Sequence, residues 1–206
     1  PMNLVRFSSA YHATARETGG ASSQDQDFGV PTLGALLREL GGGTFNHGLY
    51  RVLRSDQVAA TGQALEGVFP EYRGRIVPFA FDWLGRHFAS DLARLENGEP
   101  LVLMLEVGAG EAMMVPASIG DFHNVELVQH ADDALATPFW EQWLRLRPGD
   151  LAFSECAGYK VPLFLGGADV VANLDVIDVA VYVDICGQLR SKTRFLLPGQ
   201  SIRSVS

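Results

Sequence analysis

Cysteine is almost absent from this chain: Cys156 and Cys186 are the only two among 206 residues. Each sits in an apolar setting, so the pair reads as reduced core thiols of a cytoplasmic protein and not as a disulfide framework. Long apolar runs are missing as well. None approaches the roughly 18 residues of a membrane span. The opening PMNLVRFSSAYHATARE lacks the continuous apolar segment of a secretory signal. The expectation is therefore a cytoplasmic protein with no membrane contact. Bases are scarce in one long stretch. Between Asp91 and Glu141 ten acids face a single base, Arg94, a balance of −9 against −8 for the whole chain. Direct nucleic-acid binding needs a basic face and is excluded on this ground. The balance favours a basic protein partner, with a merely solvated acidic surface as the plainer alternative.

Signatures of chemistry are equally thin. The histidines are His12, His47, His87, His123 and His130; no two stand four apart on a convincing helix, and no cysteine or carboxylate completes a metal-ligand spacing. Gly41-Gly42-Gly43 lacks the Lys-Ser/Thr of a phosphate loop and closes a helix instead of opening one. Gly166-Gly167-Ala168-Asp169 has the wrong spacing for a dinucleotide fingerprint. No Gly-x-Ser-x-Gly elbow exists, and Cys156 has no base nearer than Lys160. His87 with Asp82 has two readings: a general base with its partner, or a turn-capping aspartate beside a histidine packed at a strand edge. Trp83, Trp140 and Trp143 read as core. No catalytic residue, cofactor or metal ligand is assigned.

What is present is a regular alternation of elements. Arg75–Ala89, RIVPFAFDWLGRHFA, reads as a strand, a four-residue turn from Asp82 to Gly85, and a returning strand. Phe79 and Phe81, two apart, point to one face. Residues 1–27 read as a loose terminal segment. Leu33, Leu36, Leu37 and Leu40 predict a helix over Thr32–Leu40, stopped by the glycines. A short strand at Leu49–Leu53, a helix over Asp56–Val68, a turn at Asn97-Gly98 and strands at Leu101–Val107 and Ala112–Val115 follow. Ile119–Val128 reads as a loop with a short element, and one helix runs from Asp132 or Asp133 through Leu146. Pro148-Gly149 is the best boundary between two parts. Beyond it, the sequence predicts a short helix at Leu151–Cys156, a buried strand at Val161–Leu165 and a helix over Val179–Leu189, with strand as the competing reading of the last. Leu196, Pro198-Gly199 and a serine-rich tail finish the chain.

Two stretches are familiar together. LRELGGGTFNHGLYRV (37–52), FPEYRGRIVPFAFDWLGRHFASD (69–91) and EPLVLMLEVGAGEAMMVPASIGDFHN (99–124) resemble the GAD-like domain, a relative of the SUKH (SMI1/KNR4-like) superfamily. Glu155-Cys156, Gly158-Tyr159, Pro162–Gly167 and Gly187-Gln188-Leu189 resemble the pattern of the DUF1851 domain. The resemblance divides the chain into residues 28–147 and 148–206. It implies an α+β, SUKH-like fold: a mainly antiparallel sheet flanked by helices, with a smaller α/β part packed on it. Proteins with this pairing look like immunity proteins of type VI secretion DNase effectors, which bind and silence a cognate toxin in the producing cell. The resemblance transfers no catalytic residue. An acidic inhibitor on a basic nuclease would place the contacts at Asp82, Trp83, Asp91, Glu96, Glu99, Asp121 and Glu126. The competing reading is a SUKH-type interaction or regulatory module without a toxin; an unrecognised enzyme or small-molecule binder is a third.

Overall fold

The computed structural model describes residues 2–19 and 28–193. Its frame is a seven-stranded sheet in sequence order, every neighbouring pair antiparallel. The strands are β1 (Ala13–Arg16), β2 (Gly43–Phe45), β3 (Tyr50–Val52), β4 (Ile76–Asp82), β5 (His87–Glu96), β6 (Glu99–Glu106) and β7 (Glu111–Ser118). A two-stranded sheet, β8 (Glu155–Tyr159) and β9 (Leu174–Asp178), stands beside it.

Helices cover both faces of the large sheet, and the central strands show it residue by residue. Val102 and Met104 of β6 belong to one apolar cluster, Leu103 and Leu105 to another. Strand side chains alternate between faces, so a run such as LVLML needs a cover on each side. One face carries α1 (Val5–Ala10), α2 (Pro31–Leu40) and a helical arm; Phe7, Leu33, Leu36, Phe88 and Phe122 meet there. The other face carries α3 (Val58–Val68) and α8 (Val179–Thr193), with Leu65, Val68, Phe69, Val183 and Cys186. Cys156 and Cys186 lie in this second cluster as buried free thiols.

The arm is made of α4 (Ile119–Asp121), a π-helical stretch (Phe122–Glu126), α5 (Leu127–Gln129), α6 (Ala131–Leu135) and α7 (Thr137–Leu146). The α+β architecture, the central hairpin and the helices of residues 31–40, 58–68 and 179–193 agree with the sequence reading. Six local expectations do not. Residues 2–19 form α1 and the edge strand β1, anchored by the buried Leu4, Phe7 and Tyr11. Residues 119–128 are helical, started by Ser118, whose hydroxyl accepts from the Asp121 amide at 3.2 Å. The single helix of 132–146 is broken at Ala136, which sits at φ 50° ahead of Pro138. Residues 155–159 are strand, and 163–165 form an accessible 3₁₀ turn. Finally, Pro78 and Ala80 face Ala89 and Phe88, so Phe79 is the extra residue of a β-bulge. Phe79 then joins the first cluster while Phe81 packs with Leu53 and Phe153 in a third. The expected chain end at 196–206 lies outside the described residues.

Ala136 holds a left-handed conformation that glycine adopts without a Cβ clash. Ala136→Gly is expected to leave the fold unchanged and to raise stability by up to about 1 kcal/mol, since the relief of the clash exceeds the added freedom of the unfolded chain. Urea denaturation of the two proteins checks this.

Candidate functional site

The sequence-predicted contact residues divide cleanly by burial. Asp82, Trp83 and Asp91 are interior. Glu96 and Asp121 are exposed, and Glu99 and Glu126 are half-buried. Strand register brings three of the accessible acids to one end of the sheet. Glu96 pairs with Glu99 across the Asn97-Gly98 turn, and Leu101 pairs with Ser118, which leads into Asp121. Glu99 accepts a hydrogen bond from the Thr32 hydroxyl at 2.7 Å, and Asp121 one from Ser118 at 2.9 Å. Glu126 lies further along the arm, in the π-helical stretch.

The buried residues form a polar hub at the β4–β5 turn. Asp82 Oδ1 accepts from the amides of Leu84 and Arg86, each at 3.0 Å, and Oδ2 meets the Arg86 guanidinium at 2.6 Å. The burial that surrounds this pair raises the Asp82 carboxyl above its usual range despite Arg86. Arg86 also donates to the Ala134 carbonyl at 3.1 Å and stands 3.6 Å from Glu106. Trp83 donates from Nε1 to the Leu135 carbonyl at 2.8 Å, and its own carbonyl accepts from the Ala157 amide at 2.6 Å. Arg51, buried beneath the turn, donates to the carbonyls of Gly48, Asp82 and Glu155 and lies 4.6 Å over the Phe81 ring. Burial lowers its guanidinium to about 10. Asp91 takes a bidentate pair from Arg75 at 2.6 and 2.7 Å. Burial pushes its carboxyl up, but the Arg75 hydrogen bonds and the Ala93 amide hold it below its usual value.

The histidines of the interior are structural. His123 Nδ1 lies 2.7 Å from the Ile119 carbonyl, which can only accept, so that nitrogen carries the hydrogen and Nε2 accepts from the Tyr50 hydroxyl at 3.0 Å. His87 Nδ1 donates to the Gly85 carbonyl at 2.9 Å while the ring stacks on Phe81. It sits in an interior strand, not at an edge, and the Asp82 carboxylate is taken up by Arg86 and the turn amides. Burial pushes both imidazoles down to about 4. Among the described residues no group of three or more His, Cys, Asp or Glu is placed to hold a metal ion, and no helix is long and apolar enough to cross a membrane.

The hub has a surface consequence. By holding Ala134 and Leu135, Arg86 and Trp83 fix the α6–α7 corner, and Phe139 and Trp140 pack on the Trp83 ring at 5.5 and 5.2 Å. Between that corner and residues 169–171 lies an open groove of about 660 Å³. Pro138, Phe139, Leu146, Val170 and Val171 supply its apolar wall, and Asp132, Gln142, Arg145 and Asp169 its polar rim. Sequence reasoning missed this surface, because it needs the break at Ala136 and the non-strand conformation of 163–171. The sequence placed Leu146 on one apolar helix face with Leu135, Phe139 and Trp143; in the structure it is exposed instead.

Residues 122–190, about a third of the chain, match the family model of the T6SS immunity protein Tdi1, C-terminal. The matched stretch is similar to part of a type VI secretion immunity protein, and it contains every residue that lines the groove. No curated protein sequence matches the chain. Among solved structures, the crystal structure of Atu4351 from Agrobacterium tumefaciens superposes with a TM-score of 0.63 at 13% identity, covering 88% of this chain and 86% of that one. That likeness is one of fold.

Two outcomes follow from the hub. Asp82→Asn keeps the turn amides satisfied but leaves Arg86 without its close carboxylate, and a loss of about 3–5 kcal/mol is expected in urea denaturation. Stability is also expected to peak near pH 6.5. The two histidines bind a proton near 6.5 when unfolded and near 4 when folded, so the unfolded state gains protons and stability falls as pH drops through that window. Glu106 has the opposite sign: burial raises its folded carboxyl from 4.5 to about 8, so stability falls as pH rises between those values. Below 6.5 the two histidines oppose Glu106 and the buried Asp82, whose carboxyl is also raised, so the fall toward acid is shallower than the histidines alone would give. Urea midpoints at pH 5, 6.5 and 8.5 show the peak, and Glu106→Gln is expected to remove most of the loss between pH 6.5 and 8.5, the remainder belonging to Cys156 and Cys186, whose thiols burial keeps protonated.

Proposed function

We propose that this chain is a non-enzymatic immunity protein, which binds and neutralises a cognate type VI secretion toxin in the cytoplasm of the producing bacterium. The observation that carries the reading is the match of residues 122–190 to the C-terminal model of an immunity protein. The resemblance of residues 37–124 to the GAD-like domain and of residues 150–189 to DUF1851 points the same way. The toxin is a basic DNase: a nuclease needs cationic surface to hold phosphates, and a chain with −9 between Asp91 and Glu141 is its electrostatic complement.

Of the acids in that segment, Glu96, Glu99, Asp121 and Glu126 are the accessible ones among the predicted contacts. Glu96, Glu99 and Asp121, together at one end of the sheet, mimic the phosphates that the nuclease would otherwise hold. Asp82, Trp83 and Asp91 act from inside, by shaping the surface.

Co-expression with the product of the neighbouring gene as candidate toxin tests the reading. Growth is expected to be restored by this chain and not by an empty vector; continued lethality overturns immunity. Mimicry has its own readout. Affinity for the toxin is expected to fall with rising salt and to drop by about tenfold or more on combined charge reversal at Glu96, Glu99 and Asp121. Unchanged affinity in that triple variant removes the mimic and leaves immunity standing.

A further inference from the structure

We propose that the groove between α7 and residues 169–171 is a docking pocket for the toxin, and that it takes a projecting apolar side chain with an arginine or lysine beside it. The inference rests on the immunity reading and assigns it a surface distinct from the acidic end of the sheet.

The apolar half of the recognition is visible in what the fold leaves in water. Leu146 is 70% exposed at the end of α7, and Val170 is 48% exposed across from it. Single exposed apolar side chains are ordinary. Here the two line one concavity with Pro138, Phe139 and Val171, and about 660 Å³ is room for one or two large side chains. A side chain entering it covers both residues at once, the arrangement in which interface energy concentrates.

The charge of the occupant follows from the rim. Asp132 accepts a hydrogen bond from the Thr137 hydroxyl, and Asp169 Oδ1 accepts from the Tyr159 hydroxyl at 2.6 Å. Both carboxylates are thus oriented by neutral donors, which leaves their charge uncompensated. The one cation on the lining, Arg145, is shared with Glu141 at 3.7 Å. A cationic neighbour to the apolar anchor therefore meets attraction at the rim. A second copy of this chain, itself at −8, meets repulsion.

Both walls are set before anything binds. Trp83 and Arg86 fix the corner that starts α7. On the other side, Asn173 ties the turn together by donating to the Val161 and Ala168 carbonyls at 2.8 and 2.9 Å while accepting from the Val161 amide at 3.1 Å. Arg147 of the α7 end pairs with Asp175 of β9 at 3.1 Å and links the walls. A preformed pocket loses little ordering entropy on binding, which favours tight association.

The test uses the full chain and the toxin that co-expression identifies, in a catalytically inactivated form. Leu146→Lys and Val170→Lys change exposed side chains, so urea midpoints are expected to stay at the wild-type value. Calorimetry is expected to show affinity reduced about tenfold or more by each, with the double variant failing to restore growth in co-expression. Glu39→Lys, exposed on α2 and outside the groove, is expected to bind as wild type does. Wild-type affinity in the stable double variant overturns the groove and leaves immunity intact. A wild-type chain that neither binds nor rescues overturns the immunity reading and the groove's toxin role with it. A second measurement needs no toxin: acetyl-Arg-Leu-Lys-amide at millimolar concentration is expected to shift the amide resonances of Gln142, Leu146 and Val171. Absence of shifts there overturns the apolar-plus-cation recognition.

Discussion

The Asp82–Arg86 ion pair is the constraint on which the rest of the structure hangs. It sits at the tip of the central hairpin, inside the protein, where two charges lose their water. Their desolvation consumes most of what their attraction returns, so the pair is a poor source of net stability. Its value is positional. With the turn held shut, the Asp82 and Trp83 carbonyls, the Trp83 indole and the remaining Arg86 donor point outward. They engage Arg51, Ala157, Leu135 and Ala134 respectively. One four-residue turn thereby reaches β3, β8 and the α6–α7 corner.

Close packing around the turn leaves its residues little room for a larger side chain. Gly85 has φ 76°, and a Cβ there would stand 3.1 Å from both Cys156 Sγ and the Tyr182 ring. The position therefore needs glycine for its backbone and for its neighbours. Glu106 completes the neighbourhood at 3.6 Å from Arg86, with its other oxygen lacking a hydrogen-bond partner. A carboxyl so placed keeps its proton to a higher pH than usual, which turns a packing arrangement into a pH dependence of stability.

The hairpin was legible because two local signals agree: an Asp and a Gly at the ends of a four-residue turn, and apolar strands on both sides. The helices of residues 31–40 and 179–193 were legible from their periodicity, although the valines of the latter also fit a strand. What failed was decided by tertiary contacts. The bulge at Phe79 changes which face Phe81 takes, and its one local sign is Pro78, which cannot donate to an interior ladder and so marks a bulge or an edge. Glu155–Tyr159 is strand because Leu174–Asp178 pairs with it and Trp83 accepts from its Ala157 amide, both distant in sequence. The same limit governed the contact residues. Asp82, Trp83 and Asp91 look like a charged aromatic tip at the level of sequence, yet Arg86 and Arg75 neutralise the acids and draw them inward.

That inward turn separates scaffold from surface. The residues that tie the hub are buried, and the accessible acids and the groove lie on elements which the hub only positions. A surface of this kind can be rewritten for a new partner without disturbing the fold, since exposed substitutions away from special backbone positions cost little. The fold shared with Atu4351 at 13% identity shows how far sequence can vary on such a frame. The groove is tied directly to the frame. Leu135 and Ala134 accept directly from Trp83 and Arg86, so the pocket's shape is a property of the interior and its chemistry a property of the rim. If the groove docks the toxin as proposed, specificity resides in a few side chains, such as Asp132, Leu146, Asp169 and Val170, on walls already in place.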